Sequence, residues 1–285
     1  MNDFYLWYNI LMKENSFEQK NIPKIIETIK GPFESEASFC PSRGGIINSM
    51  KLNGKEVLYL DEETFKDKNT NVKGGIPILF PNAGPLTENS LYPDLEQHGF
   101  ARKLEWQGQK MGDGFKETLS SNEETKKMYP YNFRLSITGN LEKDGSFTLG
   151  QEIENKENEK EMPVSMGLHP YFKVSNDEKK NIKFDFEGGN QAEDQIEKWA
   201  NGEGVSIDNP KLKDPNAVIK IIIPSLGTMI IDSPIEYKKI WVWSMPGKDF
   251  FCVEPVMRDI NGLINNPKMI KSKEIFKTSV NFKLE

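Results

Sequence analysis

The chain has 285 residues, 36% hydrophobic and 28% charged, which suits one large soluble globular unit or two small ones. A net charge of -6 argues against nucleic acid as the main partner, because phosphate neutralisation needs a basic face. No run approaches the ~18 apolar residues of a membrane helix, so no membrane partner is expected.

The opening residues are apolar in patches but lack a basic n-region, and Asp3 has the wrong sign for one. Residues 1–27 are expected to form an extension and residues 28–285 a single domain. The two cysteines, Cys40 and Cys252, lie far apart without metal-ligand spacing and read as free thiols in a reducing compartment, hence a cytoplasmic protein.

Pro41-Ser42-Arg43-Gly44-Gly45 reads as a turn with freedom for positive φ. Asn53-Gly54 is a strong hairpin signal, flanked by Ile46–Leu52 and Val57–Leu60, and predicts two strands joined by a type I′ turn. Gly74–Pro85 is too rich in Gly and Pro for a helix or central strand, and too apolar for a solvated loop. It is expected to be a rigid, partly buried loop that either lines a cavity or simply crosses the fold. Gln97–Arg102 places His98 and Arg102 four residues apart, with Trp106 shortly after. Such a group could hold a polyhydroxylated or anionic ligand, or be a turn into a strand.

From Tyr131 the pattern is β. Phe133, Leu135 and Ile137 alternate with polar residues, and Asp144-Gly145 marks a turn before Phe147, Leu149, Gln151 and Ile153. The charged run 155–161 reads as a solvated hairpin tip. Gln191–Trp199 suits a short helix, and Gly202–Pro215 a long surface loop. Strands are expected at Val218–Ile223, Thr228–Ile231, Ile240–Trp243 and Phe250–Val253, with a last alternation at Val280, Phe282 and Leu284. Many strands and few helices predict an all-β fold built as one large antiparallel sandwich.

Two residues stand out chemically. His169 is one of only two histidines, has an unperturbed pKa of about 6.5, and precedes Pro170, which holds it extended among Leu168, Tyr171 and Phe172. Its ordinary alternative is a strand histidine bonded to a backbone carbonyl. Glu254 repeats the logic at the end of Phe250–Val253, before Pro255. Desolvation beside aromatic residues would raise its pKa toward the range of a general base. A histidine and a glutamate on separate strands, facing one pocket, make an acid–base pair.

Five stretches stand in order: Pro41–Gly45, Gly74-Gly75-Ile76-Pro77 with Phe80-Pro81, His98–Arg102, Gly167–Phe172, and Val253-Glu254-Pro255. Together they resemble the aldose 1-epimerase (galactose mutarotase-like) superfamily, in the branch near the hexose-6-phosphate 1-epimerases. The resemblance runs from about residue 30 to the C-terminus. It implies a β-supersandwich, no cofactor and no metal, and interconversion of the α and β anomers of an aldose. It implies that Glu254 takes the proton of the anomeric hydroxyl, that His169 protonates the ring oxygen, and that His98 holds and polarises the sugar. Lys73, Asn82, Arg102 and Arg43 are the expected substrate contacts, the partner is a sugar or sugar phosphate, and the protein is a monomer or homodimer. Lys73 stands where the phosphate-sugar branch usually has Arg, which loses the bidentate fork. The acidic residue that some relatives use against a sugar hydroxyl has only Asp194 and Asp208 as candidates. The alternatives in function are a hexose-6-phosphate 1-epimerase and a non-catalytic carbohydrate-binding protein on the same fold.

Overall fold

The structure, a computed structural model, describes residues 27–87 and 91–285. The expected extension 1–27 therefore lies outside the described residues apart from Glu27.

Alternating strands build an eight-stranded sheet in the order Lys183–Phe184, Ile219–Ile223, Gly227–Asp232, Ile275–Leu284, Phe147–Asn155, Phe133–Leu141, Gly114–Ser120, Gln107–Met111. A six-stranded sheet runs Val205–Asp208, Lys239–Trp243, Phe250–Val256, Gly167–Leu168, Ile78–Leu79, with Tyr171–Lys173 also paired to Phe250–Val256. A four-stranded sheet (Glu27–Lys30, Glu36–Cys40, Ile46–Leu52, Lys55–Glu56) and the pair Met162–Val164 with Lys268–Ile270 complete the set. Every pairing between these named strands is antiparallel. Between the sheets lies one apolar core running from Ile29 to Leu284. It draws Phe133, Leu135 and Ile137 from the large sheet and Leu168, Phe251 and Val253 from the smaller one. The period-two alternation thus becomes two faces: apolar side chains pack inward and their neighbours point away.

Several boundaries differ from the sequence reading. Asn53 (φ 49°) and Gly54 (φ 74°) make the expected left-handed turn, but its second strand is Lys55–Glu56. Gly202–Pro215 is not all loop: Val205–Asp208 pairs with Lys239–Trp243, and Pro210–Leu212 is a short 3-10 helix. Its polar residues read as a loop because the strand is short and alternates Val205 and Ile207 inward with Ser206 and Asp208 outward. Gln191–Trp199 divides into two one-turn helices, Asn190–Glu193 and Ile196–Trp199. The run 155–161 is solvated for the most part but is not a hairpin tip. The strand that follows it pairs with Lys268–Ile270 instead of folding back, while Asn155 is buried and donates to Lys160 O and Ile270 O. Gly74–Pro85 is buried nearly throughout and carries the short strand Ile78–Leu79. Among the described residues no helix is long and apolar enough to cross a membrane.

Candidate active site

The strand Phe250–Val256 continues through Pro255 instead of ending at Val253. On one side, Gly167 pairs with Val256 and Tyr171 with Cys252. Both pairs keep one register, so His169 stands opposite Glu254 where the ring of Pro170 interrupts the ladder. On the other side, Glu254 pairs with Trp241 and Cys252 with Trp243. Alternation then sends His169, Tyr171, Cys252, Glu254, Trp241 and Trp243 to one face. Leu168, Phe172, Phe251, Val253, Ile240 and Val242 go to the core on the other. Of the three expected neighbours of His169, only Tyr171 is therefore wall material for the site.

That face floors a cavity of about 410 Å³ whose lining includes Lys73, His98, Arg102, His169, Tyr171 and Glu254. Asn71, Gln97, Gly202, Gly204, Trp241 and Trp243 complete it. His169 Nε2 lies 3.4 Å from Glu254 Oε1, and both residues are buried, at 5% and 3% exposure. The imidazole stacks on Tyr171 (centroids 4.6 Å apart, planes at 10°) and meets Trp243 edge-on, so its plane is held by packing. Among the described residues, His169 Nδ1, Glu254 Oε2 and His98 Nδ1 have no hydrogen-bond partner, although buried polar atoms normally find one.

The second histidine reaches the cavity through an unusual backbone. His98 adopts φ 70°, a region costly for a side-chain-bearing residue, and its N–H donates to Ala83 O at 3.1 Å. Gly99 follows with φ 64°, and a Cβ there would lie 2.0 Å from Phe80 O, so only glycine fits. The two imidazoles lie 5.3 Å apart, centroid to centroid.

Burial dominates the electrostatics. It pushes the Glu254 carboxyl well above the usual carboxylate range, with Arg102 pulling the other way. It pushes His169 well below its ordinary value, and the nearby His98, Arg102 and Lys73 add to that. His98 is lowered to about 3, first by burial and then by Arg102, so it is neutral at physiological pH. A buried His–Glu pair of this kind holds one proton between two sites, as carboxylic acid with imidazole or as carboxylate with imidazolium. Desolvation favours the first form; Arg102 favours the carboxylate of the second but disfavours its imidazolium.

Not every expected contact reaches the cavity. Arg43 does not line it; its Nε donates to Phe65 O (3.0 Å) and its Nη2 to Thr64 O (2.9 Å), Asp67 O and Thr70 O. It caps the short helix Glu62–Lys66, whose last carbonyls lack partners within the helix. Asn82 is also absent from the lining. Its amide donates to Gly84 O (2.7 Å) and Glu96 O (3.1 Å), which ties down the chain that leads into His98. Gly74–Pro85 runs behind the site instead of lining it, with Pro77 O accepting from His169 N at 3.1 Å. Asp208 pairs with Lys239, and neither it nor Asp194 lines the cavity. The sequence reading passed over Trp241 and Trp243 as site residues, though their i, i+2 spacing on a strand signals a shared face. For Gly202 and Gly204 there was no signal. Their loop is brought to the rim by tertiary contact, with Trp243 Nε1 donating to Gly202 O at 3.0 Å.

An antiparallel sandwich with a His–Glu pair floored by aromatic residues defines a class, and the chain belongs to the aldose 1-epimerase family, whose sequence profile matches residues 28–220. It is 30% identical over 145 residues to an Escherichia coli (strain K12) protein named "Putative glucose-6-phosphate 1-epimerase". That match covers 49% of this chain and 45% of the relative, so the chain spans about half the length of the curated relatives it matches. Among solved structures, it is similar to the Slr1438 protein from Synechocystis sp. PCC 6803, with TM-score 0.81 and 26% identity over 92% of this chain and 96% of that one. The galactose mutarotase related enzyme from Lactobacillus acidophilus shares the fold at TM-score 0.72 and 17% identity, over 91% and 97% of the two chains.

Proposed function

We propose that the chain is an aldose 1-epimerase in which Glu254 and His169 open and close the sugar ring. The observation that carries this reading is their opposed, buried placement 3.4 Å apart in the cavity wall. The anomeric hydroxyl and the ring oxygen sit on the same carbon, so two groups a hydrogen bond apart can serve both. With the pair's proton on His169, Glu254 takes the proton of the anomeric hydroxyl and His169 gives its own to the ring oxygen. The C1–ring oxygen bond breaks and C1 becomes a carbonyl. Rotation about C1–C2 and the reverse transfers close the ring on the other face, and the pair regains its starting proton. His98, neutral at working pH, lines the cavity and orients the sugar from there. Tyr171, Trp241 and Trp243 offer apolar faces to the ring. The test is polarimetry of freshly dissolved α-glucose, and of an α-hexose 6-phosphate, with wild type and Glu254→Gln. A wild type that speeds neither sugar defeats the proposal, as does a Gln variant of unchanged rate.

The charge of the cavity favours a phosphorylated aldose over a free one. Lys73 and Arg102 both line it against the single carboxyl of Glu254. Among the described residues Arg102 Nε has no partner and its Nη2 reaches only Gln97 O, at 3.5 Å; Lys73 lies over the Trp243 ring at 5.5 Å. Lys73→Ala is expected to raise KM for the sugar phosphate more than for the free sugar. An equal effect on both would leave the unphosphorylated sugar as the substrate.

A further inference from the structure

Behind the acid–base pair lies a third group with chemistry of its own. Cys252 is two residues from Glu254 on the same strand and so shares its face, while His169 stands opposite from the neighbouring strand. One donor atom from each of His169, Cys252 and Glu254 lies within 4.8 Å of the other two, and all three residues are buried. Two donors ~2.05 Å from a tetrahedral zinc ion sit about 3.3 Å apart, close to the spacing of His169 Nε2 and Glu254 Oε1, which is 3.4 Å. A thiolate bound at ~2.3 Å lies roughly 3.6 Å from either, so from a separation of at most 4.8 Å Cys252 has to close by no more than about 1.2 Å. Among the described residues neither His169 Nδ1 nor Glu254 Oε2 has a hydrogen-bond partner, so an ion can bind without breaking a hydrogen bond to either atom. His169 and Glu254 line the cavity and Cys252 does not, which leaves the fourth position of an ion facing the cavity.

We propose that His169, Cys252 and Glu254 form a site for a thiophilic divalent cation, Zn²⁺ foremost, which occupies the acid–base pair and shuts the cavity off from sugar. Binding displaces the thiol proton of Cys252 and the one proton shared by His169 and Glu254, both to solvent, so affinity rises with pH. Inhibition rests on the epimerase reading; binding does not. In the absence of metal, Cys252 packs in a small cluster with Tyr171 and Phe250, a role that a small side chain of similar shape can fill.

The experiment uses Co²⁺ as a spectroscopic probe and Zn²⁺ as its competitor, on the full chain. Wild type is expected to show a near-ultraviolet sulfur-to-cobalt charge-transfer band and the intense visible bands of a four-coordinate ion, both erased by Zn²⁺. Cys252→Ser should abolish the charge-transfer band and weaken Zn²⁺ at least about tenfold. Cys252→Ala serves in its place if the Ser variant does not melt cooperatively. Cys40→Ser should keep the band, because Cys40 lies in another cluster. The proposal is overturned if wild type shows no band, or if the band is lost in Cys40→Ser and kept in Cys252→Ser. If the chain turns over a sugar, Zn²⁺ should inhibit wild type at least about tenfold more strongly than Cys252→Ser, and equal inhibition of the two overturns the site. The band decides metal binding even if no sugar is turned over.

Discussion

Two arginines sit back to back and have opposite fates. The turn after Arg43 packs so tightly on Arg102 that a Cβ at Gly44, where φ is 78°, would lie 2.1 Å from Arg102 O. On one side of that contact every described Arg43 bond goes to a backbone carbonyl of residues 64–70. On the other, Arg102 keeps a buried Nε with no partner, at the rim of a cavity. The two buried glutamates differ in another way, by what surrounds them. Glu117 is enclosed without a partner among the described residues and does not line this cavity, whereas Glu254 faces a histidine and an open space. A charged residue whose bonds are all used holds the fold; one whose bonds are left open beside a cavity is available to a ligand. Size alone does not mark the site, since a cleft of about 980 Å³ between Lys55, Glu56, Lys173 and Glu178 is larger but has no such buried pair.

The largest effect that could break this comparison is at Glu254. Glu254→Gln keeps the shape and loses the proton acceptor, so kcat is expected to fall at least about a hundredfold, toward the spontaneous rate, with little change in melting temperature. A destabilised variant with normal turnover would move Glu254 to the structural side. In wild type the acid limb of kcat/KM should lie below pH 6.5, because burial holds His169 under its ordinary value and the pair takes a second proton only there. A limb at or above 6.5 would show that the imidazole is not desolvated in the free enzyme, and any residual activity of the Gln variant should lack the limb.

Arg43→Met should do the reverse. Losing charged donors to buried carbonyls is expected to cost about 2–3 kcal/mol in denaturant unfolding, with normal turnover per folded molecule. Arg102→Gln is expected to leave stability nearly unchanged and raise KM for a sugar phosphate about tenfold, the loss of one charge-assisted contact. If the Met variant lost activity and the Gln variant lost stability, the two arginines would have been assigned the wrong way round.

The smallest expected effect is at Glu117. Burial raises its carboxyl well above the ordinary value, so the folded chain keeps the proton after the unfolded chain has released it. Its contribution to stability is full below about pH 4.5 and is lost as pH rises toward the folded value. Glu117→Gln cannot ionise and should gain on wild type as pH rises above about 4.5. Thermal melts across that range read the difference, and a gap independent of pH would mean that Glu117 is ionised in the fold.

The sequence by itself determined the β-rich architecture, because period-two alternation at Phe133–Ile137 and Phe147–Ile153 can bury an apolar face only as strands. It also singled out His98 and His169, the only two histidines of the sequence, and Glu254, which precedes a proline at the end of an apolar run. Tertiary structure alone decided what each neighbour does. Arg43 and Arg102 carry the same side chain next to similar glycine-bearing turns, and nothing local says which guanidinium will meet the carbonyls of Glu62–Lys66. Trp241, Trp243 and the rim at Gly202 reach the cavity only through the pairing of Val205–Asp208 with Lys239–Trp243 and of that strand with Phe250–Val256. Such pairing is set by the closing of the whole sheet, over separations that a local pattern does not encode.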